Sequence, residues 1–391
     1  MLPLSGIRVV DWTTAVAGPF GGMVMADLGA EVIHIERCGP VASGSPSDCG
    51  RNKRSIPIDM RAEEGKEILR KLIKTADIFL ENFSLGATDE MGFSYEETLK
   101  LNPGIVYISL KGYGDGPYEL RPAYDPDIEA ETGVLRLSGL PGGEPVRLPG
   151  ALIDKTTGTW CAFYAVLALI EREKTGKGQF IKVGMYEDSA LMVSQNVALF
   201  QLYGTLLGPA GMGAGAAKYF ETLNAWVYIG VHTDDEWGKL CEALSFSSED
   251  RQIFGTAAAR DANPERVEKI IQGKISKMTT EDVLKKLTEA GVPCAPVNTM
   301  QEVISDPHLN ANRSMVVLTP DAKARRSSVA TPMLPYRTSD YNPKAEGWGG
   351  RPEPWNGEDT VEVLRELGYT EDQITDLRNR KIVYPYIEVV K

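Results

Sequence analysis

Short β-rich runs alternate with helical segments across residues 7–110, and few architectures accommodate that rhythm. Ile7-Arg-Val-Val-Asp-Trp12 reads as a strand, and residues 18–29 follow with helical spacing. Glu31-Val-Ile-His-Ile-Glu36 is a second strand, and residues 65–74 form an amphipathic helix. Ile78-Phe-Leu-Glu81, a helix over 94–101 and Ile105-Val-Tyr-Ile-Ser-Leu110 continue the series. Strands separated by helices are joined by crossovers, which run neighbouring strands parallel and lay the helices on the sheet faces. The expected fold class is α/β, with a Rossmann-like large domain built on a parallel sheet.

Beyond this region, Trp160, Phe163, Leu167 and Ile170 recur at intervals of three and four, predicting a helix that buries that face. Lys174-Thr-Gly-Lys-Gly-Gln179 ends it, with Gly176 suited to the left-handed C-terminal cap. A strand over 180–185 and a long helix from 187 to 204 follow. Gly208-Pro-Ala-Gly-Met-Gly-Ala-Gly-Ala-Ala217 then breaks the pattern, which sets a domain boundary there. The expected division is 1–207 for the large domain, 218–300 for a smaller α+β domain, and 301–391 for a connector and C-terminal segment. The Pro-rich stretch 320–354 is too long to be an ordinary loop and is expected to wrap over another surface, such as a second subunit. A helix over 360–368 follows it.

At 391 residues the chain exceeds what one hydrophobic core usually serves. A net charge of −12 argues against nucleic acid or an anionic membrane as the main partner. Five scattered cysteines without a C-x-x-C pair suit a reducing cytoplasm, and neither a signal peptide nor a membrane span is expected. His34, His232 and His308 have no zinc-ligand context, and the G-x-S-x-G elbow and the P-loop are both missing. Ala17-Gly-Pro-Phe-Gly-Gly22 is not the G-x-G-x-x-G fingerprint, although Glu36 ends the second strand where a ribose-binding acid would sit. An NAD oxidoreductase is therefore the weaker reading. The basic run from Asn52 to Arg61 precedes a helix and is either a solvated face or a holder of pyrophosphate.

Asp154 stands between a Pro-Gly turn and the periodic helix. Free N–H groups and the helix dipole at such a position favour a carboxylate. One reading is a helix cap; the other is a nucleophile that attacks a thioester carbonyl.

Several further stretches are collinear with these over nearly the whole chain. They are Leu4-Ser-Gly-Ile-Arg-Val-Val-Asp11, Ala17-Gly-Pro19, Asp27-Leu-Gly-Ala-Glu-Val-Ile33 with Ile35-Glu-Arg37, and Asn52-Lys-Arg-Ser-Ile56. Glu81-Asn-Phe83, Met91-Gly-Phe93, Asn102-Pro103, Gly112-Tyr-Gly114, Tyr124-Asp125, Asp154, Thr175-Gly-Lys-Gly-Gln179 and Leu367-Gly-Tyr369 complete the set. In combination the chain resembles the class III CoA-transferases, which include formyl-CoA, carnitine and bile acid CoA-transferases and the related acyl-CoA racemases.

The resemblance implies that Asp154 is the catalytic nucleophile, forming an acyl anhydride and then an aspartyl-CoA thioester. It implies that CoA is held by Thr14, Ala15, Val16, Ala17, Arg37, Ile58, Arg61, Asn82 and Phe83, with Tyr124 nearer the thioester. CoA and acyl-CoA enter as substrates, beside a carboxylic acid; no permanent cofactor and no metal are implied. An interlocked homodimer is implied too, with a heteromer as the alternative. Three positions depart from the formyl enzyme: Glu90 replaces an Arg, Pro122 a Lys and Val16 a glutamine. Its glycine-rich loop has no clear counterpart after Ala217. A racemase would need His where Tyr124 stands beside Asp125, and a catalytically silent subunit would have no need of Asp154.

Overall fold

The computed structural model describes residues 2–38, 49–139, 143–204, 216–311, 314–318, 329–340 and 350–384. Most of the glycine-rich break, residues 205–215, lies outside them, as do parts of the Pro-rich stretch. The chain divides into two compact units. The first comprises residues 1–132, 148–192 and 307–391, and the second residues 133–147 and 193–306.

The first unit is organised by six strands: β1 (Arg8–Trp12), β2 (Glu31–Arg37), β3 (Lys53–Ile58), β4 (Ile78–Glu81), β5 (Val106–Lys111) and β6 (Gln179–Gly184). They form one sheet in the order β3-β2-β1-β4-β5-β6, parallel throughout. Because successive side chains point to opposite faces, alternate residues of the same strand enter different cores. Val9, Val32, Ile78, Leu80, Val106 and Ile108 pack with the helices Ala17–Asp27 and Leu152–Thr175. Val10, Ile33, Ile35, Phe79 and Tyr107 pack on the other face with Glu63–Thr75, Thr360–Glu366 and Glu371–Asn379. A sheet covered on both faces reads as nearly continuous apolar runs, which is why these strands were legible. The α/β expectation holds.

Strand β3 was not expected, since its sequence, Lys-Arg-Ser-Ile-Pro-Ile, lacks an apolar alternation and contains Pro57. It lies at the end of the strand order, the place where a sheet tolerates proline. The expected helical face of Leu152–Thr175 is also corrected. Gly158, Cys161, Ala162, Ala165 and Ala168 are buried, while Phe163, Leu167 and Ile170 are roughly half exposed. Small residues face the neighbouring helix because the two backbones come close, which turns the bulky stripe outward. The single helix expected over 187–204 is two, Met185–Met192 and Ser194–Tyr203, and the break at Val193 falls where the chain passes from one unit to the other. Within the Pro-rich stretch, β11 (Val329–Pro332) pairs antiparallel with β10 (Met315–Leu318).

The second unit contains an antiparallel sheet of β7 (Ala217–Glu221), β8 (Trp226–Gly230) and a third strand, β9 (Cys294–Pro296), that the sequence had not announced. Phe220, Val227, Ile229, Trp237, Leu240, Phe254, Ile271 and Leu287 form its core.

Candidate active site

In an open parallel sheet, the loops leaving the two strands at which the order reverses diverge and leave a crevice. Here those strands are β1 and β4, and their last residues, Trp12 and Glu81, are register partners. Residues 13–16 leave β1; Asn82 and Phe83 leave β4. The loops are tied reciprocally: the Thr14 N–H donates to Asn82 Oδ1 at 2.8 Å, and Asn82 Nδ2 donates to the Thr14 carbonyl at 2.8 Å. Phe83 packs on Trp12, with ring centroids 4.7 Å apart.

Ala15 adopts φ 63°, a left-handed conformation that costs an L residue about 1 kcal/mol. The strained turn feeds the helix Ala17–Asp27, whose start no side chain caps. A helix N-terminus of this kind suits a phosphate or a developing oxyanion. Further along the same sheet edge, Arg37 and Ile58 end β2 and β3 as register partners. Arg61 lies beyond them with its side chain 90% exposed, paired to Asp59 at 2.8 Å. Val383 bridges to Ile58, and the Asp59 N–H donates to the Ile382 carbonyl at 2.8 Å, so residues 382–384 line the outer end of the edge.

Asp154 lies in the first turn of Leu152–Thr175, half-buried. It is not the residue at the N-cap position, which is Ala151 at φ 53°. Asp125 does the capping, accepting from the N–H groups of Ile153 and Asp154. Four residues after Asp154, a Cβ on Gly158 would run into the Ala17 carbonyl, and one on Gly21 would meet the Gly158 carbonyl at 2.8 Å. Lys155 lies over the Phe20 ring, 5.7 Å from its centroid. The first turn of the Asp154 helix is thereby set beside the loop-to-helix junction that follows β1. Tyr124, 72% exposed, immediately precedes the helix Asp125–Glu131.

Two buried lysine–carboxylate pairs underlie the loops. Lys53 Nζ donates to Asp11 Oδ2 and to the Pro19 carbonyl, both at 2.7 Å, and the Thr13 hydroxyl donates to Asp11 Oδ1 at 2.5 Å. His34 Nδ1 lies 3.2 Å from Asp11 Oδ2. Burial opposes the ionisation of Asp11, but Lys53 and His34 override it and hold the carboxyl well below the usual range. Lys111 Nζ donates to both Glu81 oxygens, at 2.8 and 2.9 Å, and to the Phe83 carbonyl at 2.6 Å. Neither pair was singled out from the sequence, where a lysine in β3 or β5 looks like any surface cation.

The basic run is neither a solvated face nor a phosphate holder over most of its length. Lys53 pairs with Asp11 and Arg54 with Glu31 and Glu366, and just ahead of the run Arg51 pairs with Asp27. Glu36 is engaged by Ser55 and Asn356, which occupies the acid a dinucleotide ribose would use. Of the other departures from the formyl enzyme, Glu90 and Pro122 are both exposed. Cys38 and Cys161 are disfavoured as nucleophiles: burial pushes the Cys38 thiol up to about 12 and raises Cys161 as well. Among the described residues, no cluster of His, Cys, Asp and Glu is placed to hold a metal, and no helix is long and apolar enough to cross a membrane.

The model of CoA-transferase family III matches residues 4–360. The beta subunit of succinyl-CoA–L-malate CoA-transferase from Chloroflexus aurantiacus is 30% identical over 98% of both chains. Human succinyl-CoA:glutarate CoA-transferase is 30% identical over 97% of this chain and 90% of its own. The crystal structure of a CAIB/BAIF family protein from Brucella suis superposes with a TM-score of 0.81 at 29% identity, covering 94% of this chain and 99% of that one. A family match that runs through both units places the chain in CoA-transferase family III.

Proposed function

We propose that this enzyme moves CoA from an acyl-CoA to a carboxylic acid through covalent intermediates on Asp154. The observation that carries the reading is the docking of the Asp154 helix, through Gly158, on the helix start at the switch-point crevice. CoA lies along the carboxyl edge of the sheet, over Thr14 to Ala17, Asn82 and Phe83, with its phosphates toward Arg37 and Arg61 and its chain passing Ile58. Tyr124 stands at the thioester end.

The Asp154 carboxylate attacks the thioester carbon, the C–S bond breaks, and CoA leaves as thiolate. The thiolate then attacks the Asp154 carbonyl of the anhydride, releasing the donor acid and leaving an aspartyl-CoA thioester. The acceptor carboxylate attacks that thioester and again frees the thiolate, which takes the acceptor acyl group and restores Asp154. No proton and no ATP are consumed, because one thioester replaces another. Four acyl transfers through enzyme-bound anhydride and thioester intermediates, begun by a carboxylate held in place, replace a bimolecular encounter between the acceptor acid and the acyl-CoA.

The protein acts as a dimer. The exposed stripe of Phe163, Leu167 and Ile170 supports this, since large apolar side chains aligned on one helix face are characteristic of a subunit interface. The interlocked homodimer of the family is the first arrangement to test, and a heteromer the second, given the relative that is a beta subunit. Five free thiols suit a cytoplasmic setting.

The test is peptide mass spectrometry after incubation with an acyl-CoA panel headed by succinyl-CoA, quenched with hydroxylamine or borohydride. A modification on the Asp154 peptide, missing in Asp154→Asn, is expected. Deuterium exchange at the acyl α-carbon without such a modification would favour a racemase instead.

A further inference from the structure

We propose that the buried lysines Lys53 and Lys111 are positioning residues that hold the two walls of the crevice in CoA-binding geometry. The inference rests on the crevice being the CoA site. Each lysine is almost wholly enclosed, at 1% and 8% exposure, and each is paired with an acid at 0% and 1%. A buried ion pair is a poor way to stabilise a fold, since apolar residues of similar volume usually do as well or better. What these pairs do beyond neutralising each other is grip the segments that leave the strands, mostly by their main chain. Lys53 holds the Pro19 carbonyl in the first turn of Ala17–Asp27, and its acid Asp11 holds the Thr13 hydroxyl. Lys111 holds the Phe83 carbonyl, and its acid Glu81 accepts the Phe83 N–H at 2.9 Å.

The two arrangements are alike although the strands that supply them differ. In both, the cation takes a carbonyl and the carboxylate takes a donor from one wall of the crevice. The helix Ala17–Asp27 sits directly on the first pair: a Cβ at Gly22 would meet Asp11 Oδ2 at 2.5 Å and Lys53 Nζ at 3.0 Å. Lys111 has all three ammonium donors engaged, by Glu81 Oε1, Glu81 Oε2 and the Phe83 carbonyl, so none remains for a ligand phosphate. Its influence on CoA runs through Asn82 and Phe83. Burial pulls Lys111 below the usual lysine range against the opposing charge of Glu81, as expected of a cation kept inside for its geometry.

The test uses full-length protein carrying Glu81→Gln with Lys111→Met, and separately Asp11→Asn with Lys53→Met, so that no charge is left buried alone. Thermal melts, CoA affinity by calorimetry, and KM and kcat for an acyl-CoA that the wild type turns over are compared. Folded double variants are expected to bind CoA about tenfold more weakly and to raise the acyl-CoA KM alike, with kcat within about threefold. A folded double variant with unchanged CoA affinity, or with kcat lost at constant KM, overturns the proposal. If a double variant does not fold, the near-isosteric acid substitution of that pair, Glu81→Gln or Asp11→Asn, decides: unchanged CoA affinity overturns the proposal, and a loss of roughly threefold or more supports it. Wild-type protein that binds no CoA sinks the site reading and this inference with it, whereas normal wild-type binding with unaltered variants sinks this inference alone.

Discussion

Asp125 caps the helix that carries Asp154: its Oδ2 accepts the Ile153 N–H at 2.9 Å and the Asp154 N–H at 3.1 Å. One buried acid thus satisfies two donors that a helix start leaves unpaired, and it anchors the backbone of the proposed nucleophile directly. Tyr124 and Asp125 are sequence neighbours, so the residue proposed to stand at the thioester end adjoins the cap of the Asp154 helix.

Asp125→Ala should cost about 1–2 kcal/mol of stability, because two enclosed N–H groups lose their acceptor. Covalent labelling of Asp154 should slow at the same time. Asp125→Asn keeps an acceptor oxygen and should recover most of the stability. Urea denaturation followed by timed labelling of each variant checks both statements. Equal labelling rates in all three proteins would detach the cap from the chemistry.

Gly158→Ala should be worse than its size suggests. The added methyl meets the Ala17 carbonyl, which is backbone and has nowhere to retreat. A loss of about 1–3 kcal/mol is expected from overpacking, with a lower kcat as Asp154 is pushed from the junction after β1. Differential scanning calorimetry and steady-state kinetics report the two effects separately.

Arg61→Ala should leave stability untouched, since the side chain is exposed and its ion pair is with its neighbour Asp59. CoA affinity should fall, and fall less at high salt, because the lost contact is a screened charge pair. Binding of a pantetheine thioester without the nucleotide should not change. Calorimetry with both ligands at two ionic strengths distinguishes a phosphate contact from a general loosening of the loop.

Asp188 gives a pH signature with a definite sign. Burial, with Glu187 beside it, pushes its carboxyl up to about 7, and its Oδ2 has no hydrogen-bond partner. The native state therefore keeps a proton that the unfolded chain releases near pH 4. The stability this group contributes is present in full below that value and is lost as pH rises through 7. Asp188→Asn should melt close to the wild type below about pH 4 and increasingly above it as pH rises to 8. A constant difference in melting temperature across that range would show that Asp188 does not titrate there.

Not every element was equally legible. Strands β1, β2, β4 and β5 announce themselves because burial on both faces demands unbroken apolar runs. Strand β3 does not, because Lys53 and Arg54 face acids from elsewhere in the chain and Pro57 needs an edge. The helix Leu152–Thr175 was found from its bulky stripe, yet its packed face is the small-residue one, since close contact with Ala17–Asp27 requires Gly158 and Gly21. Asp154, Asn82 and Ala17 stood in motifs, whereas Thr14, Ala15 and Val16 came only with the family resemblance. Asp125 stood in a motif without its capping role being visible, Lys53 stood in the basic run without its partner being visible, and Lys111 gave no signal at all.

Taken alone, the sequence determined the alternation of strands and helices, hence a parallel sheet, and two chemical types available to the site: an acid at a helix start and a basic run ahead of a helix. Those follow from local periodicity and composition, which need no knowledge of distant partners. Only the tertiary structure decided which charges are spent inside the protein and which remain for a ligand. Asp11 meets Lys53 from two strands away in the sheet, Glu81 meets Lys111 across neighbouring strands, and Asp125 reaches the Asp154 helix from another element. Pairings of that kind depend on strand order and helix placement, and a buried ion pair has no period along the chain by which it could be read.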